Sequence, residues 1–484
     1  MKPVRDRVPA APLSPLDRAL QVFTDVRPGE GLTAVVMFAN VFLILCAYYF
    51  VKPLRDGWIA VSGVTGLSSV EVKAYTSFAQ GLILIGAVGL YARLVTRWPR
   101  RELITRTTLF CMLNLLVFWV LHEAQAPGVS VVFYIWVGMF GLFVVAQFWA
   151  FAADLYSDER GRRLLPMIAI GATGGAVAGS FVTEATIRSG LLDSGALLLL
   201  ANLPLAASIA LTAVADRRGP IGAGAPPAAQ RRAAVPAAAA DDGHVGAFKL
   251  IWHHRYLLAV AGVTLLTHWV ITNGDNLLFR TIQETIQKEL TGQPGLDAGA
   301  VQAFVREGTT AFYGNYFFWV NLTALVLQAF LASRLLKYGG FGAILLFLPV
   351  IALLGYSAMA LVPMLMVVRV MKTAESATSY SINNTAQQVL WLPTTTEMKY
   401  KAKPAIETFF IRLGDGLAAL TVLIGVRAYA LSTATLFVFN IILVVLWLAI
   451  AIFVVHEHER LRAPTRVVGT SPATERAHVA EVGR

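Results

Sequence analysis

The chain has 484 residues, 56% of them hydrophobic and only 14% charged, with a net charge of +11 and two cysteines. A soluble domain carries about a quarter charged residues, so a water-soluble enzyme or binding module is excluded as the general class. Two cysteines also exclude a disulfide framework or a cysteine-based zinc site.

Residues 1–32 are expected to be a cytoplasmic N-terminal segment. Within it Leu13, Leu16, Leu20 and Phe23 recur at helical spacing, which predicts a short helix on the membrane surface. Apolar stretches of about 20 residues come next, the length that crosses a bilayer as helix. Six spans are predicted at 33–51, 74–95, 103–122, 131–155, 164–187 and 194–214. Six more are predicted at 256–279, 311–332, 342–361, 363–391, 405–427 and 432–455. None shows the alternation of barrel strands, so helices must satisfy the backbone in lipid. The first run begins near Thr33 and is too long for a cleaved signal peptide. Cys46 and Cys111 fall inside spans, where apolar packing is their simplest role.

The fold class read from this pattern is an all-α membrane protein with twelve transmembrane helices in two six-helix halves. The halves are 33–215 and 249–456. A Pro-, Ala- and Gly-rich cytoplasmic linker, 216–248, joins them, and a disordered cytoplasmic tail, 457–484, ends the chain. Most of the 40 Lys and Arg lie in segments that are cytoplasmic when the N-terminus is inside. Both termini are therefore placed in the cytoplasm, with the chain in a cell (inner) membrane. The basic surplus is thus a topology signal and calls for no nucleic-acid partner. The halves also echo each other. Glu159 is followed by basic residues and then Pro166, and Glu397 by basic residues and then Pro404, each with a spacing of seven. Arg93-Leu94-Val95-Thr96-Arg97 similarly matches Arg334-Leu335-Leu336-Lys337. Such a parallel repeat is the major facilitator architecture, with a solute site between the halves near mid-bilayer.

Charges inside spans are the functional signal, because each costs roughly 3 kcal/mol at mid-bilayer unless it meets a partner or water. Span 1 offers Tyr48, Lys52 and Arg55 at i, i+4 and i+7, with Asp56 beside them and Pro53 predicting a kink. This face suits a charged, ring-bearing ligand, or else it is an ordinary boundary with the cations in water. At the end of span 4, Asp154 joins Asp56 as a coupling or gating candidate. In span 5, Gly171, Gly175 and Gly179 predict close helix contact. Span 7 carries His268, Thr272, Asp275 and Asn276, either a proton relay or polar packing. The external loop 280–310 has its own stripe, Ile282, Ile286 and Leu290, and is predicted to be helical.

Span 10 holds Arg369, Lys372 and Glu375. Its residues Lys372, Ser376, Ser379, Asn383 and Gln387 fall on one helical face. That face either lines a cavity or pairs internally for structure. On span 11, Arg412 could grip a phosphate with its planar fork, or be held by Asp415 or Glu375. The loops with Glu159, Arg160, Arg162 and Arg163 and with Glu397, Lys399, Lys401 and Lys403 could latch the halves together in one state.

The segment Phe148-Trp149-Ala150-Phe151-Ala152, followed by Glu159, Arg162, Arg163, Pro166 and Gly171-Ala172, resembles the ATP/ADP translocase family of intracellular bacteria and plastids. Arg55-Asp56 looks like that family's Lys-Asp pair after span 1. The stretch from Ser381 to Pro393 and the triplet Arg412-Leu413-Gly414 also align with family motifs. The chain departs from the pattern at Ile135-Trp136-Val137-Gly138, where the family has an acidic residue. It departs again at Gln387-Gln388, in place of Lys-Glu, and at Asp415, in place of Lys. The resemblance implies an antiporter exchanging nucleotides or a related phosphorylated anion across the bilayer, with no enzyme activity, cofactor, metal or obligatory protein partner. In that reading Tyr48, Lys52, Arg55, Lys372, Asn383, Gln387 and Arg412 bind substrate. Asp56, Asp154, His268, Asp275, Glu375 and Asp415 serve coupling or gating. The alternatives are a proton-coupled permease for another small solute, with His268, Asp275, Glu375 and Asp415 as carriers, and a non-transporting membrane scaffold.

Overall fold

A computed structural model describes residues 14–21, 24–97, 100–218, 243–292 and 295–462. The described chain is all helix, without a strand. Nine of its helices are long and apolar enough to cross a membrane, counting 298–361 as one. The protein is a multi-pass membrane protein, and its exposed apolar faces agree: Leu109, Phe110, Leu113 and Val120 on one helix are each more than half exposed. Such a face is at home only in lipid.

The described part of the N-terminal segment is clasped rather than free. Helix α1 (Pro15–Leu20) starts at a capping box, with Ser14 accepting from the Asp17 amide. The Asp17 carboxylate also accepts from the Gly29 and Gly31 amides, which ties α1 to the start of α2 (Gly31–Ala60). The Ser14 hydroxyl and those amides hold the Asp17 carboxyl below its usual range. Leu13 and Phe23 of the expected surface stripe lie outside the described residues. So do 219–242 of the expected linker and 463–484 of the tail.

From α2 the chain continues through α3 (Ser69–Arg97), α4 (Arg100–Glu123), α5 (Val129–Leu155) and α6 (Asp158–Arg188). The broken pair α7 (Ser194–Leu200) and α8 (Asn202–Arg217) completes this part of the chain. The glycines of α6 seat it on α2: a Cβ on Gly171, Gly175 or Gly179 would lie 2.7, 2.1 or 2.5 Å from a carbonyl oxygen of α2. Both cysteines are buried.

The end of the expected linker is not coil. Residues 243–253 form α9 (Gly243–His253), because Ala247 and Ile251 bury one face. Helix α10 (Arg255–Thr291) runs well past its predicted end. The expected loop helix is its last turns, with Ile282 and Ile286 buried. Helix α11 (Ala298–Val326) passes through a π-helical turn into α12 (Ser333–Leu361). Gly340, at φ 68°, breaks that long run, a conformation that glycine adopts without strain. Then come α13 (Leu365–Thr378), α14 (Asn384–Leu390), the short α15 (Lys403–Ala405), α16 (Ile411–Val422) and α17 (Thr433–Arg462). Five π-helical turns lie among the described residues, all between Leu327 and Ala428.

Buried apolar residues form two clusters. One spans Val26 to Ala215. The other draws mainly on Ile251 to Val454 and reaches across to Tyr49, Ile59, Val70, Ala74 and Tyr134. Two seams join them. At the first, α2 and α6 meet α11, where a Cβ on Gly57 would strike the Thr310 hydroxyl and Tyr49 donates to Asn321 at 3.2 Å. At the second, α3 meets α16 and α10, with Arg412 packed on Gly81 and Phe78 on Gly416.

Candidate functional site

Between the seams lies a polar cavity of about 200 Å³. Its walls are α2 and α3 on one side and α10, α11 and α13 on the other, with Tyr134 from α5 and Tyr380 from the π turn after α13. Helix α2 decides much of this geometry. Expected to end near 51, it runs through Pro53 to Ala60, so Lys52, Arg55 and Asp56 lie in a packed helix and not at a water boundary.

Lys52 is 8% exposed. Among the described residues no carboxylate pairs with it. Rings surround its ammonium instead: Phe317 at 4.0 Å, Tyr49 at 4.9 Å, and Tyr48 and Tyr380 at 5.8 Å each. Arg55 lies over Tyr134 at 4.6 Å and reaches Asp56 at 3.3 Å. Asp56 is held more closely by Lys73 of α3, at 3.0 Å. Lys73 also donates to the Tyr313 hydroxyl at 2.9 Å, across the boundary between the two clusters.

The opposite wall is built on Lys372, which is fully buried. It sits between Asp275, at 3.0 Å, and Glu375, one turn along α13. Tyr356 donates to Glu375 at 3.0 Å, and Tyr316 packs its hydroxyl against Ser376 at 2.7 Å. The ammonium reaches Asp275 because Gly274 has no side chain: a Cβ there would lie 1.9 Å from the Tyr356 hydroxyl and 2.9 Å from Lys372 Nζ. Asp275 keeps half of its side chain exposed and lines the cavity.

Of the residues singled out from the sequence, Lys52, Arg55, Asp56, Thr272, Asp275, Asn276 and Ser376 line the cavity. Lys372 and Glu375 stand behind Asp275, and Tyr48 stands behind Lys52, with its ring against Gly141. Arg412 pairs with Asp415 at 3.0 Å, and Asp415 also accepts from Thr272 at 2.8 Å. His268 packs beside Gly414, so this group forms the α10–α16 contact next to the cavity. Asn383 and Gln387 do not join the cavity lining. The π turn at Ser379–Asn383 adds a residue to the helix and rotates the next turns by about 100° relative to Lys372 and Ser376. Asp154 lies at the far end of α5, and Arg369 bonds to Asn315. At the expected latch loops, Arg27 meets Glu159, Arg160 and Arg163 meet Glu30, and Lys401 meets Glu397, and none of these pairs links a residue before 218 to one after 243.

Several lining residues do not stand out in the sequence: Lys73, Ser77, Gln80, Tyr134, Tyr313, Tyr316, Phe317 and Tyr380. A signal exists for some. Lys73, Ser77 and Gln80 keep helical spacing on α3, and Tyr313, Tyr316 and Phe317 do so on α11. Among the described residues no group of three or more His, Cys, Asp or Glu is placed to hold a metal.

No family model matches the chain. Its fold does match solved structures over nearly their whole lengths. One is the nucleoside transporter NupG, at 10% identity and a TM-score of 0.56, covering 89% of this chain and 99% of that one. Another is a POT family transporter in complex with 5-aminolevulinic acid, at 11% identity and 0.57, covering 88% and 96%. A third is the human organic anion transporter MFSD10, at 16% identity and 0.50, covering 88% and 100%. At such identities the likeness is one of fold, and that fold is major-facilitator-like.

Proposed function

We propose that the protein is a secondary-active transporter that carries a small anionic solute by alternating access between two six-helix halves, 33–215 and 249–456. In this reading both termini lie on the cytoplasmic side, as the distribution of Lys and Arg implies. Lys52 carries this reading. A buried ammonium in a cavity between two apolar clusters, with rings against it and no carboxylate paired with it among the described residues, is a costly arrangement that a ligand anion would complete. The solved structures of like fold that are named as transporters support the general class. No catalytic role is proposed.

Within that class, exchange of nucleotides or a related phosphorylated anion is one reading, drawn from the resemblance to the ATP/ADP translocases. Lys52 and Arg55 would meet phosphate, and Tyr134 and Tyr380 offer faces for a base. Labelled nucleotide uptake into proteoliposomes, with and without ADP inside, tests it. Exchange requires stimulation by the internal nucleotide, and a lack of stimulation for every nucleotide tried sinks it.

The second reading, proton-coupled uptake of another small solute, has its own support. Asp275 and Glu375 share the single ammonium of Lys372, so one proton there would neutralise an excess of negative charge beside the cavity. The cavity is also small beside the roughly 300–1,000 Å³ of sites for drug-sized ligands. Uptake that collapses with a protonophore and ignores internal nucleotide would favour this reading over exchange.

A further inference from the structure

The two walls of the cavity carry opposite charge. On the α2–α3 side stand Lys52, Arg55 and Lys73 with one carboxylate, Asp56. On the α10–α13 side stand Asp275 and Glu375 with one cation, Lys372. We infer that the solute is amphoteric: its anionic group lies at Lys52 and Arg55, and a cationic group, such as a primary ammonium, lies at Asp275. This rests on reading the cavity as the solute site.

The two carboxylates on the negative wall are not equivalent. Glu375 is buried and satisfied, taking Lys372 and two contacts from the Tyr356 hydroxyl, at 3.0 and 3.2 Å. Asp275 receives Lys372 on one oxygen, and half of its side chain remains open to the cavity. The open charge on this wall is therefore a carboxylate, which repels a purely anionic solute and attracts an ammonium. The positive wall is the reverse. Asp56 is occupied by Lys73 and Arg55, which leaves Lys52 with rings and no carboxylate in direct contact among the described residues. Tyr316, Phe317 and Tyr380 lie in the lining with both groups and keep the cavity narrow. Two further lining atoms are buried without a protein partner among the described residues: Asn276 Nδ2 and Gln80 Oε1. Buried polar atoms are rarely left so, which marks the cavity as built for a polar guest.

The test is a matched pair of probes on the full chain purified in detergent at neutral pH. O-phosphoethanolamine and ethyl phosphate share a phosphate and a two-carbon chain and differ in the ammonium. Binding is read by titration calorimetry. The wild-type protein should bind the amino compound at least tenfold more tightly. Asp275→Asn should bring the two affinities together, by weakening the amino compound and relieving the repulsion of ethyl phosphate, and Asp275→Glu should keep the preference. Equal affinities in the wild type, or a preference that Asp275→Asn leaves intact, overturn the inference. The wild-type ratio decides even where Asp275→Asn does not fold. If the wild type binds neither phosphate, the anion reading of the cavity falls first, and this inference falls with it.

Discussion

Two lysines belong to opposite walls of the cavity, and each is buried in a different way. Lys372 is fully enclosed and matched by two carboxylates, with a tyrosine hydroxyl completing the network. Lys52 is nearly as enclosed, yet its neighbours are the rings of Phe317, Tyr49, Tyr48 and Tyr380. Cation–π contacts offset part of the desolvation of an ammonium, by about 0.5–2 kcal/mol each, but leave its charge in place. A charge-matched lysine holds its wall together, whereas a ring-matched lysine keeps an unmatched charge toward the cavity. Burial alone does not separate the two roles; the identity of the partners does.

The largest effect that would break this comparison is on the Lys372 wall. Lys372→Met leaves the buried Glu375, and the half-exposed Asp275, without their cation and should destabilise the protein by about 3–5 kcal/mol. Thermal unfolding in detergent reads this. Adding Asp275→Asn and Glu375→Gln to the same chain should restore most of the loss; a triple variant no more stable than the single one would show that Lys372 is not there to balance charge. Next in size is Gly274→Ala, whose Cβ would meet the Tyr356 hydroxyl. Overpacking of this kind costs about 1–3 kcal/mol, and Tyr356→Phe in the same chain should relieve part of it. If the double variant is as unstable as Gly274→Ala alone, the clash lies elsewhere.

On the Lys52 wall the expected order of effects reverses. Lys52→Met should change stability by no more than about 1 kcal/mol, since no carboxylate loses a partner, while anion binding falls at least tenfold. Strong destabilisation with unchanged binding would put Lys52 in the structural class with Lys372. Phe317→Leu should have the smallest effect. It removes the nearest ring from the ammonium, with a loss of about 0.5–1 kcal/mol and a modest change in affinity, both measurable against wild type.

How far these walls are legible in the sequence differs residue by residue. Lys372 and Glu375 stand out because charges inside an apolar run have few explanations. Lys52 and Arg55 are ambiguous, because charges near a predicted span end fit a water boundary equally well. Lys73 and Gln80 escape notice because they lie at the start of a span that reads as ordinary. Asn383 and Gln387 share a face with Lys372 on α-helical spacing, and the π turn at Ser379–Asn383 moves them off it. An i→i+5 turn depends on how neighbouring helices pack, and no local pattern announces it.

Hydropathy by itself determined the class of this protein. Runs of apolar residues long enough for a bilayer can satisfy their backbone in lipid only as helix, and this depends on local composition alone. The glycines of α6 are legible for a similar reason, because close helix approach needs small residues at a fixed spacing. Which charges meet across helices was decided only by the tertiary structure. Asp56 finds Lys73 from the next helix, Lys372 finds Asp275 from 97 positions away in the chain, and Lys52 finds no carboxylate among the described residues. Each of those outcomes depends on how helices distant in sequence are brought side by side, and on the low-polarity surroundings that make every unmatched charge count.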